Sequence, residues 1–231
     1  MTGLGRHPGS VTTTTIPAPS TKLPMDDPRI AFAKAIATAG FAIAGVRRDQ
    51  MTNPTPCDEF DVRGLVGHFL AALERVTIVG RDGDPFAVGD SVEPLADDAW
   101  LTAWTALAEQ AQTVWADDAL LIRPTRLPWA SESGAQALSS YVAEFTVHTW
   151  DLAVATGQTP DWDDEVVALG LAFMRTALPV VGRKEMFAAI RAQMGTEGDI
   201  GVDPYGAAVP VAADASLIDQ LVAHNGRTPN G

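Results

Sequence analysis

Two segments of the sequence carry histidine and carboxylate side chains at spacings that could bind a metal. Glu144 and His148 are four residues apart, so an α-helix would present the carboxylate and the imidazole on one face, one turn apart. Asp151 extends that face, and His68 lies in a second helical stretch, in register with apolar residues. A buried carboxylate needs a positive partner, and a divalent cation would supply it while fixing the imidazole.

His68, Glu144 and His148 would together form a site of two histidines and one carboxylate. Three protein ligands leave positions open for water or substrate, as in catalytic rather than structural metal sites. Zinc, nickel or ferrous iron would suit these ligands. Asp151 could be a fourth ligand, although we favour a role as the acceptor that orients a ligand histidine. The alternative is a core histidine satisfied by a carbonyl group, beside an ordinary i, i+4 contact on an exposed helix face.

The composition limits the number of domains, the classes of partner and the residues that could bind a metal. The 231 residues fit one domain with extensions, and 46% of them are hydrophobic, which is enough for a sizeable core. The formal charge of −13 argues against nucleic acid and anionic membranes as partners. A single cysteine excludes an internal disulfide and any multi-cysteine metal site. Of the four histidines, His7 lies in a Thr- and Pro-rich start, and His224 ends a short helix whose dipole would favour it.

Helical periodicity covers most of the chain and predicts an all-α fold. The long stretches span about 28–46, 62–80, 97–115 and 136–155, and shorter ones span 163–178, 184–194 and 215–224. Asp61 is the expected N-cap of the second stretch, and Gly157 is the expected end of the fourth. The segment 121–133 could form a short β-hairpin or an extended crossover. Because no strand run could build a central sheet, we predict a bundle of four principal helices.

The ends of the chain are expected to differ from this bundle. Residues 1–26 have the composition of a flexible tail and lack the apolar stretch of a secretory signal. No apolar run approaches the length of a transmembrane helix, so we expect a cytoplasmic protein. Its predicted divisions are the tail (1–26), a metal-binding bundle with a fifth helix (27–180) and a C-terminal extension packed on the bundle (181–231). A homodimer that uses the tryptophan-bearing third helix is a further expectation.

Cys57 lies just before a predicted helix, where the helix N-terminus can lower the pKa of a thiol. The neighbouring Asp58 and Glu59 oppose formation of the thiolate. We therefore favour a structural, partly buried cysteine over a nucleophile.

An acidic cluster, one tryptophan and three arginines also allow a functional interpretation. The acidic cluster at 161–165 lacks the glycine and the glutamate of a calcium loop, so helix capping explains it better. Trp150 could line a pocket beside the candidate site, but core packing is the favoured interpretation. One of Arg123, Arg126 and Arg183 could reach the site and bind the carboxylate of a substrate or of a thiol cofactor.

The segments that carry the candidate ligands resemble a known family. PTPCDEFDVRGLVGHFLAAL (54–73) and EFTVHTWDLAVATGQTP (144–160) are similar to the DinB-like superfamily. More narrowly, they resemble the actinobacterial branch related to mycothiol-dependent maleylpyruvate isomerase, in its metal-binding N-terminal domain. The ending LVAHNGRTP (221–229) resembles that of uncharacterised metal-binding members of this branch. The resemblance covers residues 27–229.

This resemblance implies a DinB-like antiparallel four-helix bundle, here with additional C-terminal helices, that holds a divalent metal between its second and fourth helices. The ligands of the family carry over onto His68, Glu144 and His148. We expect zinc, with nickel or iron as alternatives, and mycothiol as a co-substrate. The implied function is a metal-dependent, thiol-dependent transferase or isomerase whose partners are a small-molecule thiol and a small electrophile. The alternative is a non-catalytic metal-binding or stress-response protein of the same fold.

Overall fold

The computed structural model describes residues 27–92, 95–96, 99–127, 131–194 and 205–229, and these residues confirm the predicted all-α class. The α-helices of the described part are α1 (Pro28–Ala44), α2 (Val62–Gly80), α3 (Trp100–Trp115), α4 (Asp118–Ile122), α5 (Gly134–Thr156), α6 (Asp164–Ala177), α7 (Arg183–Met194) and α8 (Leu217–His224). Strands β1 (Pro124–Arg126) and β2 (Ser131–Ser133) form an antiparallel pair. The predicted tail, residues 1–26, lies outside the described residues.

Capping residues determine where the main helices begin and end. Asp61 accepts a hydrogen bond of 2.8 Å from a backbone N–H in the first turn of α2, and Gly157, with a φ of 68°, ends α5, as predicted. Asp163 accepts from two backbone N–H groups of α6, which confirms helix capping as the role of this part of the acidic cluster. The hairpin alternative for 121–133 is confirmed, whereas α4 was not predicted. The predicted start of the third helix, at residue 97, lies outside the described residues.

Helices α1, α2, α3 and α5 contact one another in a ring: α1 packs against α5 and α3, and α2 packs against α3 and α5. Aromatic side chains fill the space between them. The rings of Phe69, Trp104 and Phe145 lie with their centroids 5.7 to 6.2 Å apart, and all are buried. Burying a Phe side chain stabilises a fold by about 1.5–3 kcal/mol. The antiparallel, DinB-like geometry of this ring stays a prediction from the resemblance.

Helix α5 is the central element and contacts α1, α2, α6 and α8. Gly170 of α6 allows close approach, because a Cβ there would lie 3.2 Å from the Cα of Ala143. Trp150 is buried, as expected for a core residue. With so many of its sides covered, α5 can carry polar side chains only where partners satisfy them.

A second apolar cluster joins one side of α5 to the C-terminal helices. It contains Ala143, Val147, Val167, Leu171, Met174, Leu178, Phe187 and Leu221. The cluster links α8 to the ring through α6. The proposed division near residue 180 stays a prediction. Among the described helices, none has the length and apolar character needed to cross a membrane.

Candidate metal centre

The side chains of His68, Glu144 and His148 meet between α2 and α5. Oε1 of Glu144 lies 2.9 Å from Nε2 of His68 and 3.5 Å from Nε2 of His148. One potential ligand atom from each residue lies within 4.8 Å of the other two. Both histidines are 8% exposed, and the Glu144 side chain is 20% exposed. The structure therefore brings the predicted trio together, while its role as a ligand set stays a prediction.

A backbone carbonyl sets the orientation of His68. Nδ1 of His68 lies 2.6 Å from the carbonyl oxygen of Asp90. A carbonyl oxygen can only accept, so Nδ1 must donate and Nε2 faces Glu144. The ring of Phe60 packs beside the imidazole, with centroids 4.9 Å apart and planes inclined by 30°. The imidazole is thus held both by a hydrogen bond and by a neighbouring ring.

The loop that supplies this carbonyl, residues 88–92, is held against α2 by Gly67 and Arg75. A Cβ at Gly67 would overlap Oγ of Ser91 and lie 3.1 Å from the carbonyl oxygen of Val92, so glycine permits the close approach. The backbone N–H of Val92 donates to the Gly67 carbonyl at 3.3 Å. Nη2 of the buried Arg75 donates to two loop carbonyls at 2.8 and 3.2 Å. Helix α2 therefore supplies both a candidate ligand and the attachment of its supporting loop.

A buried carboxylate sets the orientation of His148. Oδ2 of Asp151, a residue with 0% exposure, lies 3.0 Å from Nδ1 of His148. Arg227 donates to both carboxylate oxygens, from Nε to Oδ1 at 3.2 Å and from Nη2 to Oδ2 at 2.9 Å. Asp151 thus accepts from His148 outside the trio, while its role as the acceptor for a metal ligand stays a prediction.

Burial opposes ionisation at this centre, but neighbouring charges outweigh it. Burial would raise the pKa of Glu144, yet the charge of His148 and hydrogen bonds from both imidazoles hold that pKa well below its usual range. Burial would lower the pKa of His148, yet Glu144 and Asp151 raise it to about 9. The pKa of Asp151 is lowered because His148 and Arg227 outweigh burial. The centre therefore holds two ionised carboxylates that require positive partners.

The three arginines considered for the site have other partners in the described part of the chain. Arg123 donates to two carbonyls at the end of α2, and Arg183 donates to three backbone carbonyls around α7 and α8. The guanidinium carbon of Arg126 lies 5.8 Å from the centroid of the Phe86 ring. Arg227, which sequence reasoning missed, approaches the centre instead. The only sequence signal for it was its position in the 221–229 ending.

Cys57 and His224 complete the set of candidate residues. Cys57 is half-buried, as predicted, and burial raises the pKa of its thiol to about 11. Its closeness to the centre was not predicted: its sulfur lies within 4.8 Å of ligand atoms of His148 and Asp151. His224 is buried, and its Nε2 donates to two carbonyls at the end of α6, at 3.1 and 3.2 Å. His224 lies in the last turn of α8, as predicted, and burial lowers its pKa, while the interaction with the helix dipole stays a prediction.

Comparison with known protein families identifies the family of this all-α chain. A sequence model described as the mycothiol maleylpyruvate isomerase N-terminal domain matches residues 32–153, which is more than half of the chain. The chain therefore belongs to the mycothiol maleylpyruvate isomerase N-terminal domain family, which confirms the resemblance. The matched region includes the trio and Asp151, and it ends before Arg227.

Two curated relatives are uncharacterized proteins of Mycobacterium tuberculosis, one from strain CDC 1551 / Oshkosh and one from strain ATCC 25618 / H37Rv. Each is 29% identical to this chain over 202 residues, which cover 87% of this chain and 98% of the relative. No solved structure matches the chain. The similarity to these relatives therefore extends beyond the region that the family match covers.

Proposed function

We propose that the chain binds a divalent metal ion through His68, Glu144 and His148 and uses it in a thiol-dependent transfer or isomerisation of a small electrophile. One observation carries this proposal. Each histidine donates its Nδ1 proton away from the centre and turns Nε2 toward the same carboxylate. Metal-ligating histidines have this pattern, because the outer hydrogen bond fixes the tautomer and leaves the other nitrogen for the metal.

The chemistry of the donors fits a borderline transition metal. Two imidazoles and one carboxylate suit zinc, nickel and ferrous iron, whereas calcium and magnesium prefer oxygen ligands. Zinc is our first candidate. The ionised Glu144 would offset part of the charge of the cation, and its partial exposure offers access from outside. A trio of protein ligands would leave a position for a small molecule.

A bound divalent cation lowers the pKa of a coordinating thiol, which makes a thiolate nucleophile available near neutral pH. Asp151 and the carbonyl of Asp90 would keep the two imidazoles fixed in orientation, so that little reorganisation is needed. Burial raises the pKa of the Cys57 thiol to about 11, which disfavours Cys57 as the nucleophile at neutral pH. The sulfur would therefore come from a small-molecule thiol, and the family points to mycothiol.

Both proposed reactions begin with attack of the thiol sulfur on an electrophilic carbon. In a transfer, the new carbon–sulfur bond remains, the leaving group departs with its bonding electron pair, and the thiol proton passes to solvent. In an isomerisation, the thiolate adds to one carbon of a carbon–carbon double bond, and the π electron pair moves onto an adjoining electron-withdrawing group. The resulting single bond rotates, and return of that electron pair expels the thiolate and restores the double bond. The partners on either route are a small-molecule thiol and a small electrophile.

Metal retention tests the proposed centre. Purified chain that is saturated with Zn²⁺ or Co²⁺ and then desalted should keep one equivalent, and the Co²⁺ absorption spectrum should change when mycothiol is added. The variants His68→Ala, Glu144→Gln and His148→Ala should lose the metal. His224→Gln is the matched control, because it changes a buried histidine that lies outside the centre. Wild-type protein that keeps no metal would overturn the proposal.

Turnover separates the enzyme from a non-catalytic metal-binding or stress-response protein. The Zn²⁺-loaded chain should accelerate consumption of a generic aromatic chloride in a thiol-dependent manner, and His148→Ala should abolish the acceleration. Retention of Zn²⁺ without thiol-dependent turnover would favour the non-catalytic alternative. The cytoplasmic location and the homodimer stay predictions.

A further inference from the structure

The C-terminal segment, residues 217–229, reaches the candidate metal centre through one side chain. Arg227 is 9% exposed and forms a two-point ion pair with Asp151, at 3.2 and 2.9 Å. The Oδ2 atom of Asp151 that accepts from Arg227 also accepts the Nδ1 proton of His148, at 3.0 Å. A single carboxylate therefore connects the C-terminal segment to a proposed metal ligand.

The backbone at the end of α8 holds Arg227 in place. The N–H groups of Gly226 and Arg227 donate to carbonyls of the last turn of α8 at 3.0 Å, in the pattern of a Schellman motif. Gly226 has a φ of 85°, and a Cβ there would lie 2.9 Å from the Cα of Gly206. Both the positive φ and the close approach favour glycine at this position. The Arg227 guanidinium thus projects from a closed, tightly packed turn.

We infer that Arg227 is a positioning residue: it fixes Asp151 and, through it, the His148 imidazole, so that the C-terminal segment sets the metal affinity of the centre. This inference rests on the proposed function and adds to it a residue beyond the region that the family match covers. A guanidinium that donates to both carboxylate oxygens fixes the plane of the carboxylate, which otherwise rotates broadly about χ2. Loss of such an outer partner typically lowers metal affinity by about 10–100-fold.

The coupling must act in both directions, because linkage between two binding events is reciprocal. If the ion pair strengthens metal binding, metal binding stabilises the C-terminal segment by the same free energy. The amides of Asn225, Gly226 and Arg227 donate to carbonyls of α8, so their hydrogen exchange reports opening of this turn. Zn²⁺ should slow exchange at these amides in the wild-type chain and should slow it less in Arg227→Gln.

Two substitutions at Arg227 test the inference directly. Arg227→Gln removes the charge and the two-point contact, whereas Arg227→Lys keeps the charge but not the planar fork. Competition with a chromophoric chelator should show a Zn²⁺ dissociation constant raised by roughly 10–100-fold in the Gln variant and by less in the Lys variant. Arg175→Gln is the matched control. Arg175 also ties α8 to the bundle, but it is exposed and donates to Gln220, at 2.9 Å, rather than to Asp151.

The outcomes distinguish this inference from the proposed function. Circular dichroism verifies folding, and Gly226→Ala provides a second variant that displaces the turn while keeping Arg227. An unchanged Zn²⁺ dissociation constant in folded Arg227→Gln, with metal loss in His148→Ala, would overturn the inference alone.

Wild-type chain that binds no Zn²⁺ would overturn the proposed function. The positioning role is then decided by nitrogen-15 NMR of the His148 ring. Its Nδ1 proton should exchange faster with solvent in Arg227→Gln than in Arg175→Gln, and equal rates would overturn the role of Arg227.

Discussion

The two candidate ligand histidines share one hydrogen-bond pattern but depend on different kinds of support. His68 donates its Nδ1 proton to the backbone carbonyl of Asp90, in the 88–92 loop. His148 donates its proton to the carboxylate of Asp151, which is buried on the same helix. A neutral dipole on a loop therefore supports one imidazole, and a full charge inside the fold supports the other.

In both regions an arginine holds the acceptor. Arg75 donates to carbonyls of the 88–92 loop, and Arg227 donates to both oxygens of Asp151. The consequences differ because a buried charge that loses its partner costs far more than a loop that shifts. We therefore expect the His68 side to respond to small changes in packing with little loss of stability. The support of His148 should resist such changes, but removal of Asp151 or Arg227 should lower both metal affinity and the stability of the fold.

Removal of the Asp151 carboxylate should have the largest effect. Asp151→Ala leaves the Arg227 guanidinium buried without its counter-charge and also deprives His148 of its acceptor. Breaking a buried ion pair by removing one partner costs roughly 3–5 kcal/mol, and we expect a loss of that size. Urea unfolding with linear extrapolation would measure it.

A double variant identifies the source of that cost. Asp151→Leu combined with Arg227→Met removes both charges, and apolar replacement of a buried pair is often neutral or stabilising. Stability should then return to near the wild-type value, while Zn²⁺ affinity stays weak because His148 still lacks its acceptor. If the double variant is as unstable as Asp151→Ala, an uncompensated charge is not the cause.

Loss of either histidine should weaken metal binding to a similar extent. Structural zinc sites bind with roughly 10–16 kcal/mol, so one ligand contributes roughly 3 kcal/mol, or more than a hundredfold in Kd. Titration calorimetry of His68→Ala and His148→Ala would measure both values. Thermal unfolding should separate them, since both variants remove a partner of Glu144, whereas His148→Ala also removes a partner of the fully buried Asp151. Weakened binding in one variant alone would argue against a centre shared by α2 and α5.

The candidate trio could be predicted because its spacing is local. Glu144, His148 and Asp151 lie on one helix, so the i, i+4 and i, i+3 relations determine which face they share. The apolar register of α2 similarly directed His68 toward the interior. Capping residues such as Asp61 and Gly157 marked the helix ends for the same reason, since each acts within its own turn.

The supporting groups could not be predicted, because they depend on contacts between distant parts of the chain. Arg227 and Asp151 are 76 residues apart, and nothing in composition distinguishes Arg227 from Arg123 or Arg183. The acceptor for His68 is a backbone carbonyl, which every residue possesses. The carbonyl of Asp90 is selected by the packing of the loop against Gly67 and by the hydrogen bonds from Arg75.

A methyl group at position 67 should displace the 88–92 loop that supports His68 and leave the support of His148 unchanged. Gly67→Ala forces the 88–92 loop away from α2, because the new Cβ would overlap Oγ of Ser91. Overpacking lowers the free energy of unfolding by about 1–3 kcal/mol, and the higher helix propensity of alanine offsets up to about 1 kcal/mol of that loss. We expect Zn²⁺ affinity to fall by roughly tenfold, the lower end of the effect of losing an outer hydrogen bond.

Chelator competition would measure this change in affinity, and chemical shifts of the loop amides would report the displacement. The double variant with Ser91→Gly removes the nearest overlapping atom and should recover part of the affinity. Unchanged binding in Gly67→Ala would mean that the loop carbonyl does not orient His68.

The smallest expected effect is a loss of stability on acidification that arises from His224 in the C-terminal segment. His224 lies three residues before Arg227, and burial together with the charge of Arg183 lowers its pKa below the ordinary 6.5. Below that pH the unfolded chain binds a proton that the folded chain does not. The stability from neutral His224 is therefore complete above pH 6.5 and is lost as the pH falls. One proton changes the free energy of unfolding by at most about 1.4 kcal/mol per pH unit.

Urea unfolding of the metal-free proteins measures this dependence. The free energy of unfolding of His224→Gln should fall less steeply on acidification than that of wild type, whereas Gly67→Ala should keep the wild-type slope. Equal slopes in all three proteins would remove His224 as the source of acid sensitivity in the C-terminal segment.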